Sequence, residues 1–185
     1  MASSKRDQLI DTAIALFYRD GFHATGIDRI LAESGVAKMT LYKHFKSKDD
    51  LIEAALQQRL EPSRQRMAWA LDNLSPKGAI LGVFDGLHAL IHDGEFFGCA
   101  FVNAAAEFHD REHPIHRVAA SHKANAERHF RIALERLEVA EPERLARQLQ
   151  YLMEGAITMA HIQGPGDQAL DAKDAAATLL RAAGA

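Results

Sequence analysis

Apolar residues along this chain recur every three or four positions, and no stretch alternates apolar and polar as a half-buried strand does. The pattern predicts an all-α protein of about nine helices. Leu9, Ile10, Ala13, Leu16 and Phe17 predict a first helix over about 4–20, with Gly21 as its stop. Ile27, Ile30 and Leu31 predict a short second helix over 27–34, followed by Gly35 where a left-handed turn residue sits. A third, over 38–44, turns Leu41 and Phe45 inward. "SKDD" at 47–50 reads as a capping box opening a long fourth helix to about Leu71, with Pro62 expected to kink or interrupt it. Helices follow from Pro76, through "CAFVNAAAEFH", from Pro114 to about Leu137, from Pro142, and over about 168–183. "HDGEFFG", "DREHP" and "QGPGD" break them.

The chain has 185 residues, 48% of them hydrophobic, enough for a packed core. A module of about 45 residues buries too little surface to stand alone, so an N-terminal three-helix piece is expected to lean on the rest. The division expected is 1–48 and 49–185. The start is amphipathic and carries acids, no apolar run reaches the ~18 residues that span a bilayer, and Cys99 is the single cysteine. These features predict a cytoplasmic protein without a membrane partner or a disulfide framework.

Charge changes this picture. The net charge is -3, yet residues 1–48 hold eight Lys/Arg against five acids, net +3, leaving -6 on the other 137 residues. A basic head on an acidic body points to a polyanionic partner at one end. Two short helices joined through a glycine turn form a helix-turn-helix pattern, whose second helix enters the major groove of DNA. Lys38, Met39, Thr40, Lys43 and His44 make its outward face, with lysine donors for phosphate or guanine and a threonine for a thymine methyl. Tyr42 can donate to a phosphate, and Lys48 adds charge to the positive end of the fourth helix. Thr25 offers a hydroxyl before the second helix, for a phosphate or as a cap. Lys46 and Lys48 also read as solvated charges, and Tyr42 as a packing residue.

The stretch "DTAIALFYRDGFHATGIDRILAESGVAKMTLYKHFKSKDDLIEAAL" resembles the N-terminal domain of the tetracycline-repressor (TetR) family of bacterial regulators. The landmarks are "ALFYRDGFHATGIDRI", the Ala-x-x-x-Gly-Val turn and "TLYKHFKSKDDL". The resemblance implies a homodimer with a ligand-binding body. It also implies DNA contacts at Thr25, Lys38, Thr40, Tyr42, Lys43, His44 and Lys48. Two departures stand out: Gly26 where many members carry a second threonine, and Met39 where many carry a small residue.

The body is then expected to dimerise and to sense. Leu149, Leu152, Ala156, Leu179 and Leu180 are the expected seam of a four-helix interface, with intrachain core as the alternative. "FFGCAFVNAAAEF" resembles one subgroup of the family and brings Cys99, Asn103 and Glu107 within helical reach. With Phe84, His88, Phe97, His122 and Met153 they are the candidate effector pocket. Glu107 either holds a cationic effector or pairs with an Arg or His of the same body; Cys99 is a small buried hydrophobe or a thiol sensor. Glu107, His109, His113 and His116 could hold a divalent ion, though their spacing matches no metal signature, and the His88/His92 pair at i, i+4 is compatible with one; solvated or hydrogen-bonded histidines are the preferred reading, so no metal or cofactor is expected. No phosphate loop, nucleophile elbow or His-Glu-x-x-His is present, which argues against an enzyme. The expectation is a regulator, most often a repressor in this family. It binds a palindromic double-stranded operator as a homodimer and is released by a small-molecule effector.

Overall fold

The computed structural model describes residues 4–185, and among them only helices occur. They are α1 (Lys5–Asp20), α2 (Ile27–Ser34), α3 (Lys38–His44), α4 (Lys48–Asn73), α5 (Pro76–His92), α6 (Ala100–Glu107), α7 (Pro114–Glu135), α8 (Pro142–Gln163) and α9 (Gln168–Ala182). Short polar residues and prolines set the starts. Ser4 Oγ accepts the Asp7 N–H at 3.1 Å, and Ser75 Oγ accepts the Gly78 N–H at 3.1 Å, with Pro76 in the first turn of α5. Ser47 Oγ accepts the Asp50 N–H at 3.1 Å, as the capping box predicts. The Asp50 carboxylate reaches past Ser47 to the Lys46 N–H at 2.9 Å.

Packing divides the chain differently from the expected cut after residue 48. One compact unit comprises Met1–Pro62 and Ala100–His122; the other comprises Ser63–Cys99 and Lys123–Ala185. α4 is not interrupted at Pro62. It continues to Asn73, two residues beyond the expected end, and the passage from one unit to the other falls just after the proline. Pro62 has no N–H to return to the Gln58 carbonyl, so this turn of α4 lacks one rung. Trp69, the chain's single tryptophan, stands exposed beyond it.

In the first unit α1 packs on α2 and α3. Leu9, Ile10, Leu16, Phe17, Phe22, Ile30 and Leu41 are fully covered, with Val36, Phe45 and Leu51 beside them in the core. In the second unit α9 packs against α5 and α8, around Ile80, Phe84, Ile91, Phe130, Leu134, Leu149 and Leu180. α9 contributes Ala169, Ala172 and Ala176 to that core, small side chains that let helices approach closely.

Candidate nucleic-acid interface

The helix-turn-helix is built by one backbone requirement and one buried side chain. Gly35 takes φ +64°, the left-handed conformation that closes α2, and its N–H returns to the Leu31 carbonyl at 3.0 Å. Ser34 Oγ accepts the Val36 N–H at 3.3 Å, and the Gln8 amide donates to the Ser34 carbonyl at 2.7 Å, tying the turn to α1. α3 follows with Leu41 fully buried beneath it. Burying one leucine contributes about 1.5–3 kcal/mol, and here that energy fixes which face of α3 looks outward.

That face carries Lys38, Met39, Tyr42, Lys43 and His44, all exposed, with Thr40 half-buried. Met39 is 77% and Tyr42 50% exposed, large apolar surfaces that the chain itself does not cover. Lys38 makes one loose ion pair, 3.5 Å from Asp28 Oδ1, with both groups mostly in solvent. Such a pair is worth little and leaves the ammonium free to exchange partners.

Two expected contacts sit differently. Thr25 is fully buried, and its hydroxyl donates to the Gly21 carbonyl at 2.8 Å, with the Leu16 carbonyl at 3.4 Å. It faces the end of α1, so it neither presents a donor to a phosphate nor caps α2, whose N-cap is Gly26 without a side-chain bond. Lys48 is half-buried, and its ammonium donates to the His23 carbonyl at 3.2 Å. Burial pushes its pKa below the usual lysine value, and the negative charges of Asp49 and Glu107 offset part of that.

Glu107 lies at the last position of α6 in this same unit. Its carboxylate accepts two consecutive main-chain donors of the α1–α2 turn, Phe22 N–H at 2.9 Å and His23 N–H at 2.6 Å. Glu107 pairs within the fold, but with main-chain amides of the head and not with an arginine or histidine side chain of the body. The partners are backbone groups, which no residue pattern advertises. The clue available was an acid at a helix C-terminus, where the dipole disfavours it. Beside it the Phe108 ring lies between His23, tilted against it with centroids 4.7 Å apart, and His113, stacked on it at 4.9 Å.

The other candidate effector residues divide between the two units. Asn103 and His122 belong with Glu107 to the first, where His122 stacks on Phe101 at 3.9 Å. Phe84, His88, Phe97, Cys99 and Met153 belong to the second. Phe84 is core, stacked on Phe130 at 6.2 Å, and Met153 is buried as well. Cys99 is partly exposed, and Lys123 Nζ lies 3.3 Å from its sulfur while gripping the Glu154 carboxylate at 2.6 and 2.7 Å. His88 leaves Nδ1 buried without a partner. An open cleft of about 450 Å³ lies between α1 and α4, lined by Arg6, Ile10, Asp50, Glu53, Ala54, Gln57 and Gln58, none of them a candidate. Among the described residues no three His, Cys, Asp or Glu come together as metal ligands. His113 Nδ1 instead accepts the Ile115 N–H at 3.3 Å, which places its proton on Nε2, 3.5 Å from Asp49.

Of the expected seam, Leu149, Ala156 and Leu180 fill the chain's own core, and Leu152 and Leu179 are half-buried against it. Leu149, Ala156 and Leu180, covered within their own chain, have little surface left for a partner, while Leu152 and Leu179 keep part of theirs. The exposed side of α8 carries Tyr151 at 66%, Met159 and Ile162 at 72% instead, with Gly155 between them and open space above it. No helix among the described residues is long and apolar enough to cross a membrane.

Comparison with known proteins points the same way. The model for bacterial regulatory proteins of the tetR family matches residues 9–55, and that for the tetracyclin repressor-like C-terminal domain matches 79–176. A TetR-family transcriptional regulator from Streptomyces coelicolor superposes with a TM-score of 0.92 at 32% identity, over 97% of this chain and 95% of its own. A TetR transcriptional regulator from Streptomyces avermitilis gives 0.85 at 35% identity, over 98% of both chains. Among curated relatives, the transcriptional activator FasR of Mycolicibacterium smegmatis is 34% identical over 54% of this chain. The match spans only 46% of FasR. The transcriptional repressor KstR2 of the same species is 34% identical over 44% of this chain and 40% of its own.

Proposed function

The chain belongs to the tetracycline-repressor family of transcriptional regulators with a helix-turn-helix DNA-binding domain, and from that premise we propose that it is a ligand-released repressor acting in the cytoplasm. Its relatives and its fold are those of regulators, not enzymes. On this reading two copies pair and place their α3 helices in successive major grooves of a palindromic operator. A small molecule bound in the body favours the dimer whose heads no longer match the operator. It acts only through its differential affinity for the two states.

The observation that carries the proposal is the α3 face: Lys38, Met39, Tyr42, Lys43 and His44 stand in solvent while Leu41 holds the helix from beneath. Lys38 and Lys43 supply charge, Tyr42 a phosphate donor, and Met39 an apolar surface for the groove. The proposed seam is the α8 stripe Tyr151, Gly155, Met159 and Ile162, where a residue without a side chain admits a second helix closely.

Fluorescence anisotropy with a duplex from the DNA upstream of the coding sequence tests the DNA reading. Affinity is expected to fall steeply with salt, and Lys43→Ala is expected to weaken binding and flatten the salt dependence by about one. Unchanged binding by Lys43→Ala and Tyr42→Phe together would remove α3 as the contacting element. A promoter fusion in cells lacking the gene separates repression from activation. That comparison matters because one relative is named an activator and another a repressor.

A further inference from the structure

We propose that Glu107 is a positioning residue for DNA binding: its carboxylate anchors the α1–α2 turn and so fixes the helices that follow it, without touching DNA itself. The proposal rests on the reading of α3 as the contacting helix.

The anchor is reciprocal. Glu107 accepts the Phe22 and His23 N–H groups at 2.9 and 2.6 Å, and the His23 ring nitrogen Nε2 lies 3.0 Å from the Glu107 carbonyl, which only a protonated Nε2 can satisfy as donor. Lys48, opening α4, takes the His23 carbonyl at 3.2 Å. The backbone N–H, the backbone carbonyl and Nε2 of His23 are thus committed to α6 or α4. Nothing local could do the same, because α2 begins at Gly26 without a side-chain cap and Thr25 is turned back onto α1.

The placement runs against a helix's own preference. A carboxylate at the C-terminal end of α6 faces the negative end of the dipole, so two charge-assisted N–H bonds are what make the position favourable. The backbone also leaves room for it. Gly21 holds φ +91°, and a Cβ there would meet Glu107 Oε1 at 3.1 Å. Phe108 adds an apolar wedge between the His23 and His113 rings. Without the carboxylate, the turn keeps its contacts with α1 but loses the bonds that select one geometry for the chain entering α2. The apparent DNA affinity then falls with the fraction of heads still in that geometry.

Glu107→Gln and Glu107→Ala in the full chain, with Lys43→Ala for comparison, test this. Three readouts are needed: anisotropy against the upstream duplex in a salt series, hydrogen exchange at the Phe22 and His23 amides, and urea unfolding. Both Glu107 variants are expected to bind about tenfold or more weakly, which is a tenth of the heads left in the competent geometry. Their salt slope should match wild type, whereas Lys43→Ala should lose about one unit of slope. Exchange should rise at Phe22 and His23 and stay unchanged in α8 and α9. Wild-type affinity in Glu107→Ala, or a shifted salt slope, overturns the proposal. So does unchanged exchange at the two amides. If Glu107→Ala is unfolded at the assay temperature, Glu107→Gln, which keeps one acceptor, decides. A wild-type chain that ignores the duplex overturns the DNA reading itself, an outcome distinct from a variant that binds as well as wild type.

Discussion

The head contains two turns that do the same job by opposite means. Between α2 and α3 the chain is held from within: Gly35 in a left-handed conformation, Ser34 bonded to Val36, and nothing within 4 Å of where a Gly35 Cβ would stand. Between α1 and α2 it is held from outside. The carboxylate on the Phe22 amide comes from 85 residues further along, and Lys48 arrives from α4. Apart from the Gln8 amide on the Ser34 carbonyl, the first turn is a property of a few consecutive residues. The second has its own Thr25–Gly21 bond, but its Phe22 and His23 amides find partners only once distant segments have come together.

The comparison can be broken most forcefully at the residue beneath the self-contained turn. Leu41→Ala leaves a cavity under α3 and is expected to cost about 2–5 kcal/mol, read as a lower urea midpoint and loss of DNA binding together. Next, the glycines separate the two mechanisms. Gly35→Ala forces alanine into the left-handed α conformation, at about 1–2 kcal/mol, and Gly21→Ala forces it to φ +91° and ψ 160°, a region essentially reserved for glycine. Only Gly21→Ala also presses on Glu107, so it should cost more. In double-mutant cycles with Glu107→Gln, the Gly21 pair should be non-additive and the Gly35 pair additive within about 0.5 kcal/mol. Additivity at Gly21 would separate its glycine from the anchor.

A smaller effect should spare both turns. His129, in the second unit, is buried, donates Nε2–H to the Ala79 carbonyl at 3.2 Å and leaves Nδ1 without a partner. Burial pushes its pKa below 6.5, with the Ala79 bond a lesser opposing influence. The unfolded chain therefore binds a proton first as pH falls. The stability His129 provides is complete above about pH 6.5 and is lost below it, down to the folded pKa. Unfolding at pH 7.5 and 5.5 should show that loss in wild type and less of it in His129→Leu, with exchange at Phe22 unaffected. Smallest of all, Tyr42→Phe should leave stability within about 0.5 kcal/mol while weakening DNA binding, since its hydroxyl has no partner to lose inside the head.

What could be read ahead of the structure follows the same line. α2 and α3 have the bounds that apolar spacing and Gly35 predict, and Ser47, Ser75 and Pro76 start helices where expected. Each of those is decided within four residues. Thr25 was legible as a polar residue before a helix but not as one turned backward onto Gly21, because the direction depends on how α1 ends. Leu149 and Ala156 show the periodicity of a buried face, and periodicity alone does not say whether the same chain or another covers it. Glu107 offered an acid among alanines, and its partners were main-chain amides that carry no residue signature.

The discontinuity of the first unit also has a consequence in time. Residues up to Pro62 leave the ribosome before Ala100–His122 are made. At about 5–20 residues per second the interval is on the order of two to eight seconds. Through it the Phe22 and His23 amides have only water to bond, although α3 has already emerged. A nascent chain therefore acquires the α3 face before it acquires the brace that holds the turn ahead of it. Grafting residues 1–48 onto another body transplants the surface and leaves the brace behind.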